Sequence, residues 1–446
     1  MTATAFCLHA LGSSSEEFAL LRSELAGDLD LVGIDLPGFG RSPASAGTTV
    51  EEMAVAVERA IGASGATEWA LVGHSMGGKV ATVVADRTLS GANGLFGLRA
   101  VVLLAASPLA PEPMAEERRE SMLAWAEHGR IRPDHAAEFV DANTASTLPP
   151  DRHEMAVHDA ERTDPRAWRD WLLRGSREDW SADAEPNPAP ALVLAGAEDG
   201  DLDADAQRRL TMPHWPAAEL HVVDGAAHLL PWERPVEVAA VVREFWSRRV
   251  APSPVVPADT ARVLASPRVS ARTRGVLAVR ALPDDPATEP RALTARQLDT
   301  LRAVARVVVP QPGPQQVDLA LRLDAQLAAG QGDGWRADGM LTDADAYRAA
   351  LDVLAPIADS GDLPAALEDA AAGRLRSDGP LDAGQLRTWF EDAGVDLVKQ
   401  WLAHPATMSD IDYDGFANGG DGVRKQGFQL LGAGQREAWE PEGTAR

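Results

Sequence analysis

The sequence predicts an α/β fold with a mostly parallel sheet and a helical cap, followed by a separate all-α domain. Three observations carry that expectation. Short continuous apolar runs recur through the first half of the chain, a G-x-S-x-G turn follows one of them directly, and a proline-dense stretch beyond residue 249 gives way to helical periodicity. Continuous apolar runs of this length suit parallel strands that are buried on both faces.

The first run, Ala5-Phe6-Cys7-Leu8, breaks into His9-Ala10-Leu11-Gly12-Ser13. A later run, Trp69-Ala70-Leu71-Val72, leads into Gly73-His74-Ser75-Met76-Gly77. That is the pattern of a nucleophile elbow, in which serine occupies a strained strand-to-helix corner and the flanking glycines let neighbouring backbone come close. His74 reads as structural, its side chain directed away from that of Ser75. Residues 73–80 also fall one residue short of the phosphate-cradling pattern G-x-x-x-x-G-K-[ST]. There Lys79 would meet phosphate, but Val80 stands where a hydroxyl must ligate magnesium, which argues against nucleotide binding.

Val101-Val102-Leu103-Leu104 reads as the next strand. From about 108 to 188 the pattern turns helical and includes Trp125, Trp168, Trp171 and Trp180. Such rings either pack a cap onto the core or roof a site with apolar surface. His153 and His158 stand at i, i+5 instead of the i, i+4 of a helical zinc motif, so no metal is expected there.

The run Ala191-Leu192-Val193-Leu194-Ala195 ends in Gly196-Ala197-Glu198-Asp199, and Leu220-His221-Val222-Val223 precedes a loop ending in His228. Serine, then a carboxylate, then histidine is the order in which successive strand ends supply nucleophile, acid and base. Ser75, Asp199 and His228 are therefore the candidate catalytic residues, with Glu198, Asp201 and Asp203 as rivals for the acid. The backbone N–H groups of Leu11 and Met76 are candidates for an oxyanion hole, where two donors stabilise charge developing on a carbonyl oxygen.

With these pieces assembled, residues 1–248 resemble the α/β-hydrolase superfamily, in the style of its small serine esterases and haloperoxidase-like members. The resemblance rests on His9-Ala10-Leu11-Gly12, Asp35-Leu36-Pro37-Gly38-Phe39-Gly40-Arg41-Ser42, Gly73-His74-Ser75-Met76-Gly77-Gly78, Asp199 and His228. It implies hydrolysis of a carboxylic ester, or of a related acyl or C–C substrate, through an acyl-enzyme without cofactor or metal. It also makes the 108–188 insertion a cap over the site. His9-Ala10 departs from the usual His-Gly pair, and the customary first hairpin is expected to be missing.

At 446 residues the chain is expected to hold about two or three domains. Its single cysteine, Cys7, excludes an internal disulfide, and a net charge of −25 argues against a general nucleic-acid surface. No apolar stretch reaches about 18 residues and no basic-then-apolar start is present, so no membrane span and a cytoplasmic location are expected. An amphipathic helix is expected from Pro235 to Arg249, with Val236, Ala239, Val242 and Phe245-Trp246 on one face. Pro252, Pro254, Pro257, Pro267, Pro283, Pro286 and Pro290 then mark 249–292 as a linker with at most short ordered pieces.

Residues 293–446 read as all-α. Thr294 and Gln297 form a capping-box pattern, and Leu298, Leu301, Val304, Ala305 and Val308 line one face until Pro310 stops the helix. Similar periodicity recurs at 317–327, 347–354 and 386–402. The region weakly resembles the gluconate 2-dehydrogenase subunit 3 family, in the helix ending Val307-Val308-Val309-Pro310 and in Asp414-Gly415-Phe416-Ala417-Asn418-Gly419-Gly420 followed by Gly427-Phe428. That resemblance implies a flavin-dependent oxidoreductase partner bound through residues 293–446, and with it an alternative reading of the first domain as scaffold. Asp410-Ile411-Asp412-Tyr413-Asp414-Gly415 with Asp421 matches part of an EF-hand loop. Pro405 before it and Gly419, Gly420 and Gly422 after it favour a surface loop instead.

Overall fold

The computed structural model describes residues 3–182, 184–332, 334, 336–422, 432 and 435. It divides into two compact units. The first holds the chain up to Val250, Val256–Pro283 and the chain from Asp414; the second holds Ala251–Val255 and Asp284–Tyr413.

Six strands build the first unit: β1 (Ala3–Leu8), β2 (Leu29–Ile34), β3 (Trp69–His74), β4 (Leu98–Leu104), β5 (Ala191–Gly196) and β6 (Ala218–Val223). They lie in the order β2-β1-β3-β4-β5-β6, and every pairing is parallel. Parallel neighbours need crossover connections, which the helices supply. After the first three strands come α1 (Ala19–Glu24), α2 (Val50–Ser64) and α3 (Met76–Leu89). Between β4 and β5 stand the cap helices α4 (Glu116–Trp125), α5 (Pro133–Asp141), α6 (Pro150–Arg162) and α7 (Pro165–Asp170), the last running into a π-helical turn at Trp171–Gly175. A short α8 (Ala204–Ala206) follows β5, and α9 (Leu230–Glu233) and α10 (Pro235–Phe245) follow β6.

Successive strand residues point to opposite faces of a sheet. Ala5, Cys7, Val72, Val102 and Leu194 accordingly share one face, covered by Phe18 and Leu21 at α1 and by Val238, Ala239, Val242 and Phe245 of α10. Val236, expected on that buried face, is instead 63% exposed. The buried stripe of α10 runs through Pro235, Val238, Ala239, Val242 and Phe245, which leaves Val236 on the opposite side.

The stretch expected to be a linker is ordered over much of its length. It carries α11 (Ala258–Leu264) and α12 (Ala271–Arg280), both in the first unit. Proline does not break these helices because it falls outside them: Pro257 is the N-cap of α11, Pro267 lies between the two helices and Pro283 follows α12. Arg274 is buried and donates to the carbonyl oxygens of Leu264, Ser266, Val269 and Gly91, which fastens the segment beyond the end of α3. The chain from Asp414 also belongs here and not with the helical residues before it. The Gly419 N–H donates to the Arg268 carbonyl, and the Asp421 carboxylate accepts the Ala271 N–H at the start of α12.

The second unit is helical: α13 (Ala295–Val308), α14 (Leu319–Ala328), α15 (Asp343–Ser360), α16 (Leu363–Ala371), α17 (Ala383–Ala403) and α18 (Pro405–Asp410). Its core gathers Leu298, Leu301 and Val304 of α13 with Leu323, Leu351, Leu354, Trp389 and Leu397. The Thr294–Gln297 capping box is formed in both directions, and a second one joins Asp382 to Gln385. Gly427 and Phe428 lie outside the described residues. Among those described, no group of three or more His, Cys, Asp or Glu side chains is arranged to hold a metal ion, and no helix is long and apolar enough to cross a membrane.

Candidate active site

The turn between β3 and α3 puts Ser75 at φ 49°, ψ −118°, a backbone conformation that L-residues rarely adopt. Glycine on both sides makes the corner possible. A Cβ on Gly77 would lie 2.1 Å from the Leu8 carbonyl oxygen, and one on Gly73 would lie 2.6 Å from that of Gly77. The corner is held by the Ser75 N–H donating to Leu104 O at 2.9 Å, and by the Ser75 carbonyl accepting from Gly78 and Ser107.

Residues from three strand ends meet there. Ser75 Oγ lies 2.8 Å from His228 Nε2, and His228 Nδ1 lies 2.7 Å from Asp199 Oδ2. A carboxylate accepts, so Nδ1 donates and Nε2 is left to accept the serine hydroxyl. The other carboxylate oxygen, Oδ1, accepts the N–H groups of Asp201 and Leu202. The neighbouring acids do other work: Asp201 pairs with Arg118, Asp203 caps α8, and Glu198 is exposed at the cavity rim.

Burial opposes charge on both members of the His–Asp pair, but their attraction and hydrogen bond prevail. The Asp199 carboxyl is held at about 2, and His228 rises above the ordinary histidine value, with Glu112 adding to that rise and Arg118 opposing it. Glu112 moves the other way from Asp199. Burial pushes its carboxyl up, against the Ser107 hydroxyl that bonds it and the charges of Lys79 and His228.

A cavity of about 200 Å³ opens onto Ser75 and His228. Leu11, Met122, Phe139, Trp171 and Leu229 supply much of its apolar lining, and Glu112 and Arg118 its charge. Of the four cap tryptophans expected in this region, Trp171 alone is among the lining residues. Trp168 is buried against Phe139 and donates to Met122 O, Trp125 stacks on His135, and Trp180 donates to Glu178. The backbone N–H groups of Leu11 and Met76 make no hydrogen bond among the described residues. Leu11 lines the cavity, and Met76 begins α3 directly after Ser75.

Lys79 gives the nucleotide reading no support. Its side chain is buried, donating to the carbonyl oxygens of Gly175 and Glu178 at 3.0 and 2.8 Å, and burial lowers its pKa to about 8. His153 bonds Asp141 on the cap surface. His9 has a neutral role: Leu36 N–H donates to its Nε2, so its Nδ1 donates to Ala10 O, and burial lowers its pKa.

Residues without a motif complete the site. The Asn143 carbonyl, after α5, accepts the N–H groups of His228 and Leu229, while its side chain accepts from Arg118 and donates to Phe139 O. Glu17, after β1, is fully buried beside His74. No local pattern marks Asn143, Arg118, Glu112 or Glu17, because each acts through contacts distant in the chain.

Comparison with known proteins agrees with this architecture. The family model described as the alpha/beta hydrolase family matches residues 5–241, more than half of the chain, and the protein belongs to that family. It is 26% identical over 249 residues to the 2-succinyl-6-hydroxy-2,4-cyclohexadiene-1-carboxylate synthase of Serratia proteamaculans, spanning 53% of this chain and 91% of that one. It is 40% identical over 102 residues to the pimeloyl-[acyl-carrier protein] methyl ester esterase of Sodalis glossinidius, but the match spans only 23% of this chain and 35% of the esterase. The bromoperoxidase of Bacillus anthracis shares the fold, with a TM-score of 0.50 at 17% identity over 55% of this chain and 92% of that one.

Proposed function

We propose that this α/β hydrolase is a serine esterase, with Ser75 as nucleophile, His228 as base and Asp199 as the acid that orients it. The observation that carries the reading is the unbroken chain of hydrogen bonds from Ser75 Oγ through His228 to Asp199, 2.8 and 2.7 Å long, opening onto a cavity. As Ser75 Oγ bonds to the substrate carbonyl carbon, its proton passes to His228 Nε2. The tetrahedral oxyanion is received by the Leu11 and Met76 N–H groups, whose lack of a hydrogen-bond partner among the described residues supports that role. Cleavage of the C–O bond releases the alcohol, which takes the proton from His228. Water then attacks the acyl-enzyme, gives its proton to His228, and the acid leaves as Ser75 recovers its own.

The apolar lining supports a substrate with a small apolar acyl or alcohol group, and the likeness to the Sodalis methyl ester esterase supports an ester as that substrate. Steady-state hydrolysis of p-nitrophenyl acetate and butyrate tests the proposal. Wild type is expected to turn both over, and Ser75→Ala to lose at least about 10³-fold in kcat. Wild-type protein that cleaves neither, or Ser75→Ala that retains the rate, contradicts it.

A further inference from the structure

Behind the Ser75–His228–Asp199 chain lies a second buried pair that this mechanism does not use. Glu17 and His74 are both 0% exposed, with Glu17 Oε1 3.1 Å from His74 Nδ1. The opposite ring nitrogen, His74 Nε2, lies 2.8 Å from the backbone carbonyl of His228. Glu17 Oε1 also accepts the Ala10 N–H at 3.3 Å, and Glu17 Oε2 is buried with no hydrogen-bond partner among the described residues.

The hydrogen-bonding roles leave little choice. A carbonyl oxygen only accepts, so His74 Nε2 carries a proton and donates to His228 O. A neutral imidazole would then present a bare Nδ1 lone pair to the Glu17 carboxylate, two acceptors in contact inside the core. The 3.1 Å approach therefore holds one further proton between Nδ1 and Oε1. An unpartnered oxygen such as Oε2 is costly to bury, and in some proteins a costly buried pair is kept for the geometry it fixes.

What it fixes can be read from the chain positions. Ala10 precedes Leu11, His74 precedes Ser75, and His228 is itself the base. The two side chains thus join the oxyanion loop, the nucleophile elbow and the base loop, each at or beside the residue that acts. The His74 and His228 rings stand 5.4 Å apart between centroids, so any drift of His74 reaches the base through its ring as well as its backbone.

We infer that Glu17 and His74 are positioning residues, a proton-sharing clamp that holds the loops of Leu11, Ser75 and His228 in register for reaction. The inference rests on the serine-hydrolase reading for its kinetic consequence but not for its structural one. Glu17→Gln cannot satisfy the arrangement with a neutral His74. If its oxygen accepts from Ala10, nothing donates to Nδ1; if its amide nitrogen donates to Nδ1, it confronts the Ala10 N–H. His74→Gln keeps an amide N–H within reach of His228 O, whereas His74→Leu keeps none.

The test uses the full-length protein and two readouts. Misplacing a reacting group by about 1 Å costs on the order of 100-fold. Glu17→Gln and His74→Leu are accordingly expected to lower kcat for p-nitrophenyl acetate by about 10- to 100-fold with KM nearly unchanged, His74→Gln to recover much of the loss, and Glu17→Gln/His74→Leu to be no worse than His74→Leu alone. Hydrogen–deuterium exchange in the peptide spanning 226–232 is expected to rise in the Glu17→Gln and His74→Leu proteins. Wild-type kcat and wild-type exchange in Glu17→Gln overturn the inference, as do fully additive losses or a His74→Gln protein no better than His74→Leu. Should a leucine variant fail to fold, Glu17→Gln and His74→Gln carry the same comparison. An inactive wild type defeats the hydrolase reading alone, because the exchange measurement still decides whether the clamp exists.

Discussion

The backbone carbonyl of Asn143, in the cap, accepts the N–H of His228 at 3.1 Å. A residue outside every recognisable motif thereby holds the N–H of His228, while His74 holds the carbonyl of the same residue at 2.8 Å. The Asn143 side chain is itself fixed by Arg118 at 2.8 Å and by Phe139 O at 2.7 Å, and Arg118 continues to Asp201, two residues after Asp199. The cap is thus bonded to the loops of both His228 and Asp199.

Asn143→Ala removes both side-chain bonds and is expected to cost about 1–3 kcal/mol of stability, at about 1 kcal/mol per bond and up to about 3 where a buried partner is left unpaired. Because the 143 carbonyl then loses its anchor, kcat for short esters is expected to fall as well, by about tenfold. Urea denaturation and steady-state kinetics check the two effects separately. An unchanged kcat would mean that the base loop holds itself.

On the proposed mechanism, charge around His228 is expected to set the acid limb of the pH profile. Asp199, at about 2, stays ionised through the mildly acidic range, so loss of kcat/KM on acidification belongs to His228. Its imidazole is raised, and the limb is expected above the ordinary histidine value. Glu112→Gln removes a charge that favours the imidazolium, and the limb is expected to move to lower pH. A profile of kcat/KM against pH for the two proteins reads this directly; movement to higher pH would show that Glu112 does not act on His228 through its charge.

Asp199→Asn tests the orienting role. An amide at this position can donate to Nδ1, which leaves the proton on Nε2 and removes the acceptor that Ser75 needs. The expected loss in kcat is about 10³- to 10⁴-fold, with the fold retained. Circular dichroism establishes the second part, and a loss below tenfold would return the acid's role to Glu198 or Asp201.

Lys79 makes a prediction about stability. Its pKa is lowered from 10.5 to about 8 by burial, so between those values the unfolded chain binds a proton that the folded chain does not. Stability contributed at this site therefore rises as pH increases from about 8 to about 10.5. Urea midpoints at pH 8 and pH 10, in wild type and Lys79→Met, isolate it from other titrations. The wild type is expected to gain relative to the variant across that interval.

Much of this architecture was legible because its causes are local. Gly73 and Gly77 are required because a Cβ there would lie 2.6 and 2.1 Å from a neighbouring backbone oxygen, and such a need leaves a mark in the sequence. The strand end bearing Asp199 follows a continuous apolar run, and the chain order of Ser75, Asp199 and His228 points to their proposed roles. The Thr294–Gln297 box is likewise a matter of three residues' spacing. Less legible was whatever depends on distant contacts. Prolines at 257 and 267 read as breaks but delimit α11 and α12, and distant bonds such as Arg274 to Gly91 and Arg99 to Ala281 explain why that segment joins the first unit. His74 read as an ordinary structural residue because nothing in its neighbourhood announces Glu17, 57 positions earlier.

The central claim is that Ser75 is an activated nucleophile, and covalent trapping tests it most directly. Wild-type protein treated with a fluorophosphonate and analysed by peptide mass spectrometry is expected to carry one adduct, on Ser75, formed more slowly in Asp199→Asn and not at all in Ser75→Ala. Folded wild-type protein that stays unmodified, or whose adduct lies elsewhere and persists in Ser75→Ala, would contradict the account.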